Sequence, residues 1–248
     1  MARVDPIRDE AAAAADLGDE TALVIADYHA GIEASLRRDG VEVESRADRR
    51  RERVRDLIDR VDADRVVFLG DLGNHIGEPS GAELEELVDL EHDLRSVEVT
   101  LVPGNHDGRL GDVLDVDVVE GDGTLIGDVG FAHGHSWPND RVLGADVLAV
   151  GHEHPTVRLA DEVGGSRIER VWLRGALVPG AFADRTDEET RAAIEGDLVV
   201  FPAFNDLVGG TWVNVEEQEF LSPFLPDASP DAEAYLLDGT RLGPFWSV

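Results

Sequence analysis

The stretch "VEVTLVPGNHDG", Val97–Gly108, takes an apolar run into a Pro-Gly pair and then sets an amide, an imidazole and a carboxylate side by side at Asn105, His106 and Asp107. Alone, the hexapeptide from Pro103 to Gly108 reads as a polar turn, because Gly, Asn and Asp tolerate unusual backbone angles and Pro-Gly is a loop signal. Whether it is instead one wall of a reaction site depends on what stands at the ends of the other strands.

In α/β sheets ligands bind at the carboxyl ends of strands. "TALVIAD" (Thr21–Asp27) and "RVVFLGD" (Arg65–Asp71) are continuous apolar runs of the kind covered on both faces, each ending in a carboxylate. Asp27 and His29 follow the first, Asp71, Asn74 and His75 the second, and Asn105, His106 and Asp107 the third. Further on come His133 and His135, then His152, Glu153 and His154. Of the 8 histidines all but His92, in an expected helix, fall in these clusters. Singly, His75 or His135 reads as an ordinary hydrogen-bonded residue. Five clusters at five successive strand ends read as one site.

The elements between support a sheet that could assemble them. "SRADRRRERVRDLIDRV" (Ser45–Val61) spaces Val54, Leu57, Ile58 and Val61 for one helix face, and "AELEELVDLEHDL" (Ala82–Leu94) predicts a second helix. Strands alternating with helices imply a mostly parallel sheet with right-handed crossovers. Beyond position 110, "TLIGDVGFAHGH", "ADVLAVGHEH", "PTVRLAD" and "SRIERVWLRG" are short strand-like segments joined by Gly and Asp turns, so a second, more antiparallel sheet is expected. Two stacked sheets with helices outside is the simplest closure. "ADRTDEETRAAIEGD" (Ala183–Asp197) reads as a surface loop or short helix, and "LVVFPAF" (Leu198–Phe204) as a last core strand. Residues 1–20, rich in Ala, Asp and Glu, are expected to form a loose arm or one short helix, with a single domain over 21–248.

Composition narrows the chemistry. Cysteine is absent, so any metal must be held by nitrogen and oxygen ligands. Acidic residues number 53 against 22 basic ones, every one of them Arg, for a net charge of -31. Self-repulsion on that scale is associated with proteins adapted to high salt, and a halophilic host is expected. The lack of a long apolar run, and of a basic stretch ahead of an apolar core near residue 1, is read as a soluble, cytoplasmic protein with no membrane partner. An acidic surface ordinarily disfavours nucleic acid, but at 1 M salt the Debye length is only about 3 Å and distant carboxylates are hardly felt.

Neutral imidazole with carboxylate suits Mn, Fe, Zn or similar divalent ions. Two such ions about 3.5–4 Å apart generate a hydroxide at neutral pH and neutralise a phosphate under in-line attack. The site would then supply its own positive charge, and Asp71, between the clusters, could bridge the pair.

Taken together, "DYH" (Asp27–His29), "GD" (Gly70, Asp71), "GNHD" (Gly104–Asp107), "HGH" (His133–His135) and "GHEH" (Gly151–His154) resemble, in order, the five motifs of the calcineurin-like metallophosphoesterases. The resemblance implies an α/β fold, a four-layer αββα sandwich of two stacked mixed sheets. It implies a first metal on Asp27, His29 and His154, a second on Asn105, His133 and His152, and Asp71 bridging. Mn is the ion expected first, with Fe, Zn or Mg as alternatives. His106 would not be a ligand but would stabilise charge on the phosphate or protonate the leaving oxygen. Many members carry a second Asp that orients that histidine; here the position is Asn74, whose amide could hold the ring but not stabilise an imidazolium by charge. The tail "LVVFPAFNDLVGGTWVN" (Leu198–Asn214), opening a C-terminal segment over 198–248, resembles archaeal phosphoesterases related to the nuclease subunit of DNA break repair, a group shared with bacterial ligase-associated DNA damage response endonucleases.

Three functions follow as alternatives: a phosphodiesterase or nuclease acting on nucleic acid alongside DNA repair proteins, a hydrolase of small phosphodiesters or monoesters, and a weakly active metal-binding scaffold in a repair complex. Arg109, Arg37 and Arg38 could touch flanking phosphates or pair with surface carboxylates. Tyr28 and Trp137 could stack a base or pack. Phe201, Phe204 and Trp212 are expected to pack against the sheet.

Overall fold

The computed structural model of the chain describes residues 3–160 and 164–248. Its first sheet is mixed and six-stranded, in the order β1 (Val4–Pro6), β2 (Ala13–Asp16), β3 (Thr21–Ile25), β4 (Arg65–Phe68), β5 (Glu98–Leu101) and β6 (Asp117–Val118). Strands β3 to β6 run parallel, joined by crossovers that carry helices α1 (Ile32–Arg38) and α2 (Ala47–Val61) after β3 and α3 (Ala82–Asp93) after β4. Because such a sheet is covered on both faces, Ala22 to Ile25 are all buried.

The second sheet contains β7 (Thr124–Ile126), β8 (Val129–Ala132), β9 (Val147–Val150), β11 (Ser166–Ala176), β12 (Asp197–Val200), β13 (Glu233–Leu236) and β14 (Arg241–Pro244), with β10 (Thr156–Ala160) paired to β11. Its centre is a parallel trio, β8, β9 and β12, flanked by antiparallel pairs. The short helices α4 (Asp140–Leu143) and α5 (Glu188–Ala192) lie in the connections after β8 and β11.

Alternation along the strands sorts the apolar side chains into three layers. Val24 and Val67 of the first sheet meet Phe131, Ala149 and Val199 of the second in the inter-sheet core. Leu23, Ile25 and Phe68 point the other way, toward Val54 and Leu57 of α2 and Leu87 and Leu90 of α3. Leu148, Val150 and Val200 face Val142, Phe182 and Phe224. The result is the expected α/β fold of two mixed sheets flanked by helices.

Residues 3–20 depart from expectation. They are neither a loose arm nor a helix: β1 and β2 pair with each other, and β2 pairs with β3 through Ala13↔Val24 and Ala15↔Ala22. Ala13 and Ala15 are fully buried and Asp16 is exposed, so the tract obeys a strand period, and its helix propensity yields to tertiary pairing. The tail expectation is met for Phe201 and Phe204, both buried, but not for Trp212, which is 37% exposed. Trp212 sits outside the core because its main chain bridges Thr156 alongside β10 rather than entering the sheet centre.

Candidate metal centre

Register builds the site. Ile25, Phe68 and Leu101 are level across β3, β4 and β5, so the loops carrying Asp27, Asp71 and Asn105 leave the first sheet together. Ala132, Val150 and Val200 are level across β8, β9 and β12, which delivers His133 and the loop of His152 and His154 from the second sheet at one edge. The two sets of loops meet at glycines. A Cβ on Gly104 would stand 2.2 Å from Asp71 Oδ1, and one on Gly70 would stand 2.3 Å from His133 Nδ1. These contacts are the physical reason for Gly in "GD" and "GNHD".

Two groups of side chains converge there. Asp27, His29 and His154 form one and Asp71, His133 and His152 the other, with the donor atoms of each group within 4.8 Å of one another. His154 Nε2 faces Asp27 Oδ1 at 3.1 Å, and His133 Nε2 faces Asp71 Oδ1 at 3.5 Å. The second oxygen of Asp71 lies 3.8 Å from His29 Nε2, so this carboxylate looks toward both groups. Asn105 Oδ1 stands 3.3 Å from His133 Nε2 and joins the second group.

The donors are buried and under-satisfied. Both ring nitrogens of His29, and Nε2 of His154, lack a hydrogen-bond partner despite being buried, the latter facing Asp27 outside hydrogen-bond geometry. An unpaired buried polar atom costs roughly 1–3 kcal/mol, and a cation among these lone pairs removes that cost. Protonation states suit a cation. Burial raises the Asp27 carboxyl, but the His154 and His133 imidazoles outweigh it and hold it below the usual carboxylate range. Asp71 behaves alike: against burial, His133 brings it well below that range. Burial pushes His29 down to about 4, and burial with the neighbouring His133 brings His152 down to about 4, leaving both imidazoles neutral ligands at pH 7. His154 is also buried, yet the Asp27 charge lifts it to about 9, so a metal there would displace a proton.

The backbone is strained where the donors sit. Asp27, His29, Asp71, His152 and His154 all have positive φ, from 45° to 66°. Each non-Gly residue held there costs on the order of 1–3 kcal/mol. Packing and outer hydrogen bonds hold them. Glu83 Oε1 accepts from the main-chain N–H of Asn74 at 2.7 Å and of His75 at 2.9 Å, and Glu86 accepts from Gly31 N–H at 2.8 Å, so the start of α3 ties down the first two motif loops.

Several expected roles come out differently. His106 Nδ1 bonds the main-chain carbonyl of Asn74 at 2.8 Å, while the Asn74 amide donates to Ser35 Oγ; the ring is held by backbone, not by the side chain at that position. His106 Nε2 is thereby left toward Asp71 Oδ2, at 3.8 Å. Asp107 is a loop brace that accepts from Gly73 and Gly104 N–H. Glu153 is fully buried and turned away, accepting from Leu221 and Ser222 N–H. Arg109 pairs with Asp112 at 3.1 Å and Arg37 donates to the Val43 carbonyl, so both are engaged locally. Arg38 comes nearer the site, donating to Ser35 Oγ and lying 3.0 Å from His75 Nε2.

Tyr28 is no stacking platform: it is fully buried between Phe68 and Phe204. Trp137 packs edge-on to Phe182 under the Arg185 guanidinium. His75 is paired with Glu83 at 3.3 Å. His135, unremarkable in sequence, lies with its ring centroid 5.3 Å from that of His133 and 6.1 Å from that of His152, beside the second group.

The residues that sequence reasoning missed are in the tail. Asn205 Nδ2 donates to the carbonyls of Tyr28 and His29, clamping the first motif, and the Gly209 carbonyl bonds His154 Nδ1 at 2.9 Å. No local signal marks a carbonyl as a partner of a histidine 55 residues away.

The family model of the calcineurin-like phosphoesterases matches residues 21–169. The chain belongs to this family. The two Asp/His groups of this calcineurin-like phosphoesterase lie on four motifs, all within the matched span, that follow β3, β4, β8 and β9. Its fold is similar to that of a nuclease, MPE, from Pseudomonas putida, with a TM-score of 0.57 and 19% identity over 95% of this chain and 97% of that one. More distant are the phosphoesterase Yfce from E. coli, at TM-score 0.41 and 15% identity over 90% and 96% of the two chains, and a Vps29 double mutant from Entamoeba histolytica, at 0.31 and 16% over 90% and 98%. No curated protein matches the chain. Among the described residues no helix is long and apolar enough to cross a membrane.

Proposed function

We propose that this phosphoesterase hydrolyses phosphodiester bonds of nucleic acid, using a pair of divalent ions, Mn first among them. The observation that carries the reading is the convergence of two buried Asp/His groups with Asp71 facing both. Asp27, His29 and His154 would hold one ion and Asp71, His133 and His152 the other, with Asn105 beside the second and Asp71 shared. Such a pair, when bound, activates water and neutralises the phosphate.

The protein's own contribution is positioning and proton transfer. His106, with Nδ1 anchored on the Asn74 carbonyl, presents Nε2 toward the centre and serves as the acid for the leaving oxygen. A carbonyl acceptor supports the imidazolium and the neutral ring alike, so no carboxylate is needed behind it. The choice of nucleic acid is supported by the tail resemblance to repair-associated phosphoesterases and by the similarity, over nearly both full lengths, to a protein described as a nuclease. Repair proteins as partners, a cytoplasmic location and a halophilic host belong to the same reading.

The test is an assay in high salt of metal-depleted protein, with Mn, Mg, Fe or Zn restored in turn, against single- and double-stranded DNA, RNA and an aryl phosphodiester. Metal-restored cleavage of a polynucleotide supports the proposal. Turnover of the aryl ester alone moves the substrate to small phosphoesters, and no turnover with any ion leaves a scaffold.

A further inference from the structure

The acidic character of the chain breaks down on one face of α2. Arg46, Arg49, Arg53 and Arg60 are spaced by three, four and seven residues, which aligns them in a single stripe. That stripe forms one wall of a pocket of about 660 Å³, closed by Asp9 and Glu10 near the start of the chain, Arg170 of β11 and Phe204 to Asp206 of the tail. None of the metal-binding residues lines it, so the pocket stands apart from the hydrolytic reading.

Some of its charge is spent internally. Arg46 pairs with Asp206 at 2.9 Å, and Arg53 pairs with Glu10 at 2.5 Å while covering the Phe204 ring at 4.2 Å. Arg49, Arg60 and Arg170, however, have no carboxylate within 4.0 Å among the described residues. Arg170 is the unusual one. It is half-buried, with Nη1 on the Ala203 and Phe204 carbonyls, and burial with the adjacent Arg53 guanidinium lowers its pKa. Two guanidiniums lie side by side, and the carboxylates that act on Arg170 from a distance, Asp206 and Glu10 first among them, are paired with Arg46 and Arg53, so a further anion in direct contact would complete the charge balance. Glu52 and Asp56 also reach the rim, and their charges favour an anion that makes direct, forked contacts over one held by long-range attraction.

We propose that this pocket is an anion site for phosphate groups, with Arg170 and Arg53 at its floor and Arg49 and Arg60 at its mouth. Guanidinium forks match phosphate oxygens bidentately, and the volume exceeds what one phosphate fills, leaving room for a second along the stripe. Free phosphate and the backbone of a nucleic acid strand present the same chemistry.

The experiment uses the full-length, metal-loaded protein, titrated with inorganic phosphate by calorimetry and with a fluorescent phosphorothioate oligothymidylate by anisotropy. Two classes of phosphate site are expected, one at the metal centre and one here. The double variant Arg49→Ala/Arg170→Ala weakens the second class by roughly tenfold or more, while Arg95→Ala, outside the pocket, leaves it intact. Arg49→Glu, at an exposed position, gives the same loss and stands in if truncating Arg170 disturbs folding. A parallel loss of oligonucleotide affinity identifies a strand as the occupant, and loss of phosphate alone identifies the free ion. A single class of phosphate sites in the wild type, or unchanged binding of both probes in Arg49→Glu and the double variant, overturns the proposal.

Discussion

The Gly209 carbonyl accepts the Nδ1–H of His154 at 2.9 Å, so the tail decides which nitrogen of a metal-site histidine is left for a ligand. Partners of this kind fix the tautomer and ring orientation, and losing one costs about 10–100-fold in metal affinity. The neighbouring Gly210 gives a sharp probe, because a Cβ there would stand 2.1 Å from the His154 carbonyl oxygen, whereas one on Gly209 meets nothing within 4 Å. Gly210→Ala is expected to lower metal affinity within the 10–100-fold range of about that size, and Gly209→Ala to leave it near wild type, as read by metal content after dialysis. Equal affinity in both variants would show that the tail does not position His154.

His106 and Asp71 separate chemistry from metal binding. His106→Ala should reduce turnover by about 10²–10⁴-fold, the range for general acid–base catalysis, with metal content unchanged. Asp71→Ala should abolish both, since its oxygens face His133, His29 and the His106 N–H. Loss of metal from His106→Ala would falsify the division of roles.

Asn74→Ala should be mild. Its carbonyl, not its amide, holds the His106 ring, and the amide is spent on Ser35. Turnover is expected to fall by less than about tenfold, the scale of one neutral hydrogen bond. A loss as deep as that of His106→Ala would place the amide itself in the catalytic step.

Behind the first motif Arg50 is buried between Glu33 and Glu86, at 3.0 Å and 2.8 Å. Arg50→Met leaves two buried carboxylates unpaired and is expected to cost about 3–5 kcal/mol of unfolding free energy. The pH dependence has a definite sign. Burial raises Glu33, but Arg50 overrides it and holds the carboxyl below its ordinary 4.5. Its contribution is therefore present above that value and lost as pH falls through the lower folded value. In Arg50→Met the Glu33 carboxylate loses the partner that held it ionised, so the gap to wild type should narrow as pH falls. Denaturant unfolding at several pH values checks this, and a gap independent of pH would count against it.

The charge of -31 predicts that the thermal midpoint rises as KCl is increased from about 0.1 M to about 2 M, through screening of self-repulsion. A flat midpoint in calorimetry would argue against adaptation to salt.

The order of the central strands β3 to β5 with helices α2 and α3, and the Asp and His residues that converge at their ends, were legible in the sequence, because each rests on local pattern. Apolar runs with a carboxylate at the end mark buried parallel strands, and helical spacing marks α2 and α3 to within two residues of their ends. The burial of both faces that makes Thr21–Ile25 apolar is also what carries Asp27 to the strand end. Relationships between distant segments were decided by tertiary structure alone. Pairing with β3 turned an alanine tract from a helix candidate into a strand, the backbone of Asn74 replaced its side chain as the partner of His106, and packing took Tyr28 out of reach of any ligand. The physical reason is common to all of them: a side chain's type is written at its own position, but its neighbours, and the carbonyls and counter-charges it meets, exist only once the sheets have stacked.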